Sequence, residues 1–331
     1  MPPTKINADK PHLWKADIAA SVDQFNQWFM QFALQAFRTT RVKTTEHVKA
    51  ALIATRDLRA LDAATLRANP SPLPTLRMCT APPLAVDRLV GLASASKSLI
   101  GSMEEGKLAA RMKAELLDEN LSKVCTVLTK LLDRDIFPWL DAGKGPTDLE
   151  RDRASTIVAD RLCSAVAKDT VRSARKTRQQ SVVAVLVDSL GYREARIISD
   201  ANRSDKEPGT YAFDVSMPLA IGRDSVLPID VHVIPMDRHA SGTRVLLDLR
   251  SPQDVREASL SVARAVKKRK ALEMTYGETV RYALMLGAHY DTGCLGTLAA
   301  EGIDWLWQHR PSEFDRMTSY RATRHRIPCR L

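Results

Sequence analysis

PIDVHVIPMDRHASGTRVLLDLR, residues 228–250, is the stretch that decides the fold. Apolar and polar positions alternate through Pro228–Ile234 and again through Arg244–Leu249, the period of strands with a buried face. His239–Gly242 between them is turn material. The first strand carries Asp230, and the second ends in Asp248, Leu249 and Arg250. Residues two apart on a strand face the same side, so Asp248 and Arg250 share a face while Leu249 points into the core. Two carboxylates on neighbouring strands are hard oxygen donors, the kind that hold Mg²⁺.

Working upstream, Thr210–Leu219 alternates with Tyr211, Phe213, Val215 and Met217 on one face, another strand entered from the turn-rich Ser204–Gly209. Before it, an amphipathic pattern from Ala154 to Leu190 predicts two helices, with Gly191 as the residue that closes the second. Downstream, a helix is expected over Val255–Tyr276, closed by Gly277, followed by an apolar strand over Tyr282–Gly287. A helix between two strands reads as a crossover to a parallel strand. The predicted order is helix, three strands, helix, strand, in an α+β chain.

The N-terminal part reads as helical. Trp14, Ile18, Val22, Phe25, Phe29 and Phe32 form one stripe at helical spacing over residues 12–38, better suited to a core than to base stacking. A separate helix is expected over Thr45–Leu61, a loop at Pro70, Pro72 and Pro74, and helices over 83–99 and 105–134. Asp141–Pro146, DAGKGP, is the candidate linker. The expected division is a helical region 1–145, an α+β domain 146–310, and a basic tail 311–331.

The 331 residues carry a formal net charge of +10, which points to a polyanionic partner such as nucleic acid. The cysteines (Cys79, Cys125, Cys163, Cys294 and Cys329) are odd in number and dispersed, as expected of reduced thiols in a cytoplasmic protein. MPPTKINADK at the N-terminus has no apolar core for a signal peptide, and no membrane span is expected.

Asp230, Asp248 and the cation after them, set in this element order, resemble the active site of PD-(D/E)XK nucleases. Further stretches resemble the XamI family of type II restriction endonucleases: NADKPH at 7–12, WKADI at 14–18, LPTLRM at 73–78, Pro82 and Pro83 with Asp87–Leu89, GTYAF at 209–213, PIDV at 228–231, TYGE at 275–278 and AEGIDW at 300–305. The resemblance implies Mg²⁺-dependent cleavage of double-stranded DNA at a short palindrome of the GTCGAC type. It also implies a homodimer and a companion DNA methyltransferase. On this pattern Asp230 and Asp248 are the metal ligands, Asp248 standing where the family has Glu. Arg250 takes the place of the motif Lys. Arginine keeps its proton at working pH and cannot act as a general base. The basic run expected after the motif is also displaced: residues 260–263 read LSVA, and the cations follow at Lys267–Lys270. A relative that binds DNA without cutting is therefore the alternative.

Other motifs are weaker. Gly91–Ser98, GLASASKS, has Ser96 where a phosphate-binding loop needs its second Gly. His232 and His239 lack further ligands at zinc spacing. Asp237 and Arg238 read as a loop, and His289, Tyr290 and Asp291 as a surface loop after the last strand. Cations that would meet DNA phosphates fall on one helix (Arg172, Arg175, Lys176, Arg178), on the crossover helix (Lys267, Lys268, Lys270) and in the tail (Arg321, Arg324, Arg326, Arg330, with His325). Four successive cations cannot share one helix face, so part of Lys267–Lys270 is solvated surface.

Overall fold

The computed structural model describes residues 5–109, 111–195, 207–220, 225–236, 244–277 and 280–318; the expected turns at 204–206 and 239–242, Asp237, Arg238, His239 and the tail cations lie outside these. The chain divides into two compact units, one made of Met1–Gln31 with Arg172–Leu331 and the other of Phe32–Val171. This division differs from the expected boundary at 145/146, because two long helices each supply residues to both units.

The first of these, α1, runs unbroken over Trp14–Ala54, where two helices were expected. The polar, threonine-containing interval between the two expected helices is itself helical. The hydroxyls of Thr40 and Thr45 donate to the carbonyls of Ala36 (2.7 Å) and Arg41 (2.8 Å) four residues back. The second, α7, covers Asp148–Ser189 as one helix, again where two were predicted. Thr147 and Glu150 form a reciprocal capping box at its start, with N–H to oxygen distances of 2.7 and 3.2 Å. Gly191, at φ +83°, ends it.

The unit of residues 32–171 is helical. It contains α2 (Ala63–Ala68), α3 (Leu73–Met78), α4 (Val86–Ala93), α5 (Lys97–Glu104) and α6 (Ala114–Leu131). Pro74, expected in a loop, lies in the first turn of α3, where its missing N–H costs no helical bond. The helix predicted over 83–99 is two: Ser94 adopts a left-handed φ of +47° and Ser96 caps α5. Gly91 thus sits inside α4, in no phosphate-binding turn. Leu52, Leu76, Leu89, Leu99, Leu121, Phe137 and Trp139 pack in one core.

The other unit is built on a six-stranded sheet in sequence order, β1 (Arg193–Glu194), β2 (Thr210–Pro218), β3 (Val226–Ile234), β4 (Arg244–Arg250), β5 (Val280–Leu286) and β6 (Asp304–Trp307). β2, β3 and β4 are antiparallel, while β4, β5 and β6 are parallel. α8 (Val255–Tyr276) crosses from β4 to β5, as predicted, and α9 (Thr292–Ala300) from β5 to β6. Val183 and Val187 of α7 cover one sheet face with Val231, Leu247 and Leu249. Val262 and Ala265 of α8 and Leu295 of α9 cover the other with Leu246 and Leu284.

α9 and β6 were not predicted. Tyr290, expected on a surface loop, is buried, and Asp291 caps α9 by accepting the Cys294 N–H at 2.6 Å. The N-terminal segment belongs to this unit because Asp304 captures it. That carboxylate accepts the backbone N–H groups of Ile6, Asn7 and Ala8 at 2.5, 3.0 and 3.1 Å. Two of the stretches that carried the family resemblance, 7–12 and 300–305, therefore meet.

Candidate active site

β3 and β4 form a regular ladder through Val231↔Leu247, His232↔Leu246 and Val233↔Val245, and the pairing stops at Asp230. There the two carboxylates take over from the ladder. Asp230 Oδ2 accepts the Leu249 N–H at 2.9 Å, and the Asp230 N–H points at Asp248 Oδ1 at 3.5 Å. The same level of β2 is kinked at Asp214, φ +51°, so Tyr211 and Phe213 pack with the α7 layer while Val215 and Met217 pack with the α8 layer. The single face expected for these four residues is split by that left-handed residue. An opened strand pair exposes main-chain groups that need partners, and acidic side chains supply them.

Asp248 and Arg250 lie on the α8 side of β4, opposite Leu249. Asp248 is fully buried. Its carboxylate accepts from Lys268 Nζ at 2.8 and 2.6 Å, Arg250 Nη2 at 2.6 Å and the Tyr282 hydroxyl at 2.8 Å. Arg250 Nη1 donates to Asp230 Oδ2 at 3.0 Å and to the Leu249 carbonyl at 2.9 Å. The Arg250 carbonyl is fixed by the Gly287 N–H at 2.9 Å and by Gln179 Nε2 at 3.3 Å. A Cβ at Gly287 would stand 2.5 Å from Gln308 Oε1, so that side-chain amide would have to shift to admit one.

Lys176 reaches the same place from α7, 3.2 Å from Asp230 Oδ1 and ion-paired with Asp214. Burial disfavours its ammonium, but Asp214 and Asp230 outweigh this and raise its pKa. Burial likewise opposes the Arg250 charge, and Asp248 and Asp230 raise it on balance. For Lys268 burial wins: its pKa is lowered despite Asp248. Burial and the Asp248 charge hold the Tyr282 hydroxyl well above its usual range, so it remains a donor.

Asp230 Oδ2, the Leu249 carbonyl and Asp248 Oδ2 thus surround one guanidinium. These oxygens suit a hard divalent cation of the Mg²⁺ kind, which needs only one or two carboxylates and completes its shell with water and phosphate oxygens. Among the described residues no group of three or more His, Cys, Asp or Glu side chains is arranged for a metal. His232 is buried on β3.

The expected phosphate-contacting cations have separate surroundings. Arg175 is buried, its guanidinium donating to the Ser251 carbonyl and 3.6 Å from Glu257. Arg178 lies over the Trp28 ring at 5.4 Å. Lys267 is exposed, and Lys270 faces Glu301 at 3.4 Å. Lys268, from the same run, turns inward. The signal was present: Lys268 follows Ala265 by three and precedes Leu272 by four, which puts it on the buried stripe of α8. Tyr282 had no such signal, since an apolar strand offers no hint that a phenol will meet a carboxylate.

The XamI restriction endonuclease family model matches residues 56–307. The type II restriction enzyme SalI of Streptomyces albus G is 38% identical over 310 residues, covering 94% of this chain and 98% of that protein. Protein VC1899 from Vibrio cholerae, a solved structure, aligns at a TM-score of 0.29 and 11% identity over 75% of this chain and 54% of that one, too distant to bear on the fold. Among the described residues no helix is long and apolar enough to cross a membrane. With a family match over most of its length and a relative aligned from end to end, the chain belongs to the XamI restriction endonuclease family.

Proposed function

We propose that this protein is a type II restriction endonuclease that hydrolyses duplex DNA at a short palindrome of the GTCGAC type, with Mg²⁺ as cofactor. The observation that carries it is the convergence of Asp230, Asp248 and the Leu249 carbonyl where β3 leaves β4. The order α7-β2-β3-β4-α8-β5 resembles the PD-(D/E)XK core, and the 38% identity to SalI supports the same reading. Asp230, Asp248 and the Leu249 carbonyl would hold the metal. When bound, it offsets charge on a phosphoryl oxygen and makes a water more acidic. Arg250, always charged, fixes the two carboxylates and is free to contact the scissile phosphate once it turns aside. Lys176, Lys267 and Lys270 offer charge to neighbouring phosphates. A palindrome calls for a two-fold homodimer, and a DNA methyltransferase would protect the host's own sites.

The second reading, a DNA-binding relative that does not cut, is favoured by Arg250 itself, which fills the oxygen site a metal would use. Incubation of purified protein with Mg²⁺ and a plasmid carrying GTCGAC separates the two. Discrete fragments support the nuclease; intact plasmid together with a retained gel shift supports the silent relative.

A further inference from the structure

We propose that Lys268 supplies, from α8, the ammonium that position 250 of β4 does not, and that it holds the attacking water against the scissile phosphate. This rests on the nuclease function proposed above. Three observations carry it. Lys268 Nζ contacts both oxygens of Asp248, at 2.8 and 2.6 Å, so it stands beside the residue a motif lysine would stand beside. Its side chain is only 11% exposed, although Lys267 and Lys270 of the same run point to solvent and Arg269 is half-buried. Asp248 already accepts from Arg250 at 2.6 Å and from Tyr282 at 2.8 Å, although Arg250 is shared with Asp230. Burying a second cation on this carboxylate costs desolvation, and a buried ammonium held against a candidate metal ligand is a candidate for chemistry as well as for charge balance. Lys176 is a poorer candidate, with 44% of its side chain exposed and its ammonium shared between Asp214 and Asp230.

In the step itself the water oxygen bonds to phosphorus while the bond from phosphorus to the departing sugar oxygen breaks. The proton lost by the water passes to solvent, the departing oxygen takes one from solvent, and Lys268 remains an ammonium throughout. Its part is to orient the water and to oppose the negative charge that builds on the phosphoryl oxygens.

The test moves the ammonium from one side of Asp248 to the other. Lys268→Met is expected to lose about 100-fold or more in turnover, with gel-shift affinity in EDTA within a few-fold of the parent. Arg250→Lys combined with Lys268→Met is expected to recover much of the lost cutting, since the lysine now comes from β4. Thermal melting monitors the fold, and Lys268→Gln, which keeps a donor toward Asp248, is read if the Met variant unfolds. Parental turnover in Lys268→Met or Lys268→Gln overturns the proposal, as does a folded double variant no better than Lys268→Met. A parent that never cuts removes the nuclease function as well, whereas a cutting parent with an equally active Lys268 variant removes only the role of Lys268.

Discussion

Asp248 and Asp230 are the same residue type on adjacent strands, yet they occupy opposite ends of one site. Asp248 is wholly buried and carries Lys268, Arg250 and Tyr282. Asp230 keeps 16% of its side chain exposed, at the edge where the ladder opens, with Lys176 at 3.2 Å on its outer side. The buried end is costly to disturb, because without Asp248 the Lys268 ammonium has little water and no carboxylate beside it. The open end can exchange partners, since solvent replaces whatever leaves. One carboxylate therefore holds the cluster together, and the other is open to a change of contacts.

The largest expected effect is at the buried end. Asp248→Asn leaves Lys268 and Arg250 facing a neutral amide, and it is expected to cost about 3 kcal/mol or more of stability together with all cutting. Urea unfolding measures the first and plasmid cleavage the second. Asp230→Asn is expected to abolish cutting at a cost of about 1 kcal/mol, because it keeps an acceptor for the Leu249 N–H and lies near water. If both variants unfold at the same urea concentration, the two ends do not differ in the way described. The smallest effect belongs to Lys176→Ala, outside the buried pair. It is expected to leave melting nearly unchanged while lowering the slope of log binding constant against log salt by about 1, if its ammonium turns to a phosphate. An unchanged slope would assign Lys176 to the acidic edge alone.

The predicted strands and crossover helix were legible because local periodicity encodes them. The helix expected over about Val255–Tyr276 matches α8, closed by Gly277, and Thr210, Pro228–Ile234 and Arg244 all lie within observed strands. The misreadings have local causes too. α1 and α7 were each split where polar, β-branched or basic residues interrupt the apolar stripe, although neither helix contains Pro or Gly to end it. β6 is only four residues long, Asp304–Trp307, and all are buried, so no alternation marks it. Tyr211–Met217 was given one face because a strand normally keeps it; Asp tolerates a left-handed backbone better than most residues, but that weak preference does not mark position 214 inside an alternating strand.

The sequence alone determined the element types around residues 228–250, their order, and the family, because periodicity, turn residues and matching stretches are properties of neighbours along the chain. It also placed Asp230 and Asp248 on adjacent strands. Only the tertiary structure decided which cations meet them. Arg175, Lys176 and Arg178 lie within one turn of α7 but reach a backbone carbonyl, two carboxylates and a tryptophan ring. Lys267 and Lys268 are consecutive, yet one faces water and the other Asp248. Successive helical residues point about 100° apart, so the partner of each depends on where the helix docks, a long-range outcome that spacing along the chain does not specify.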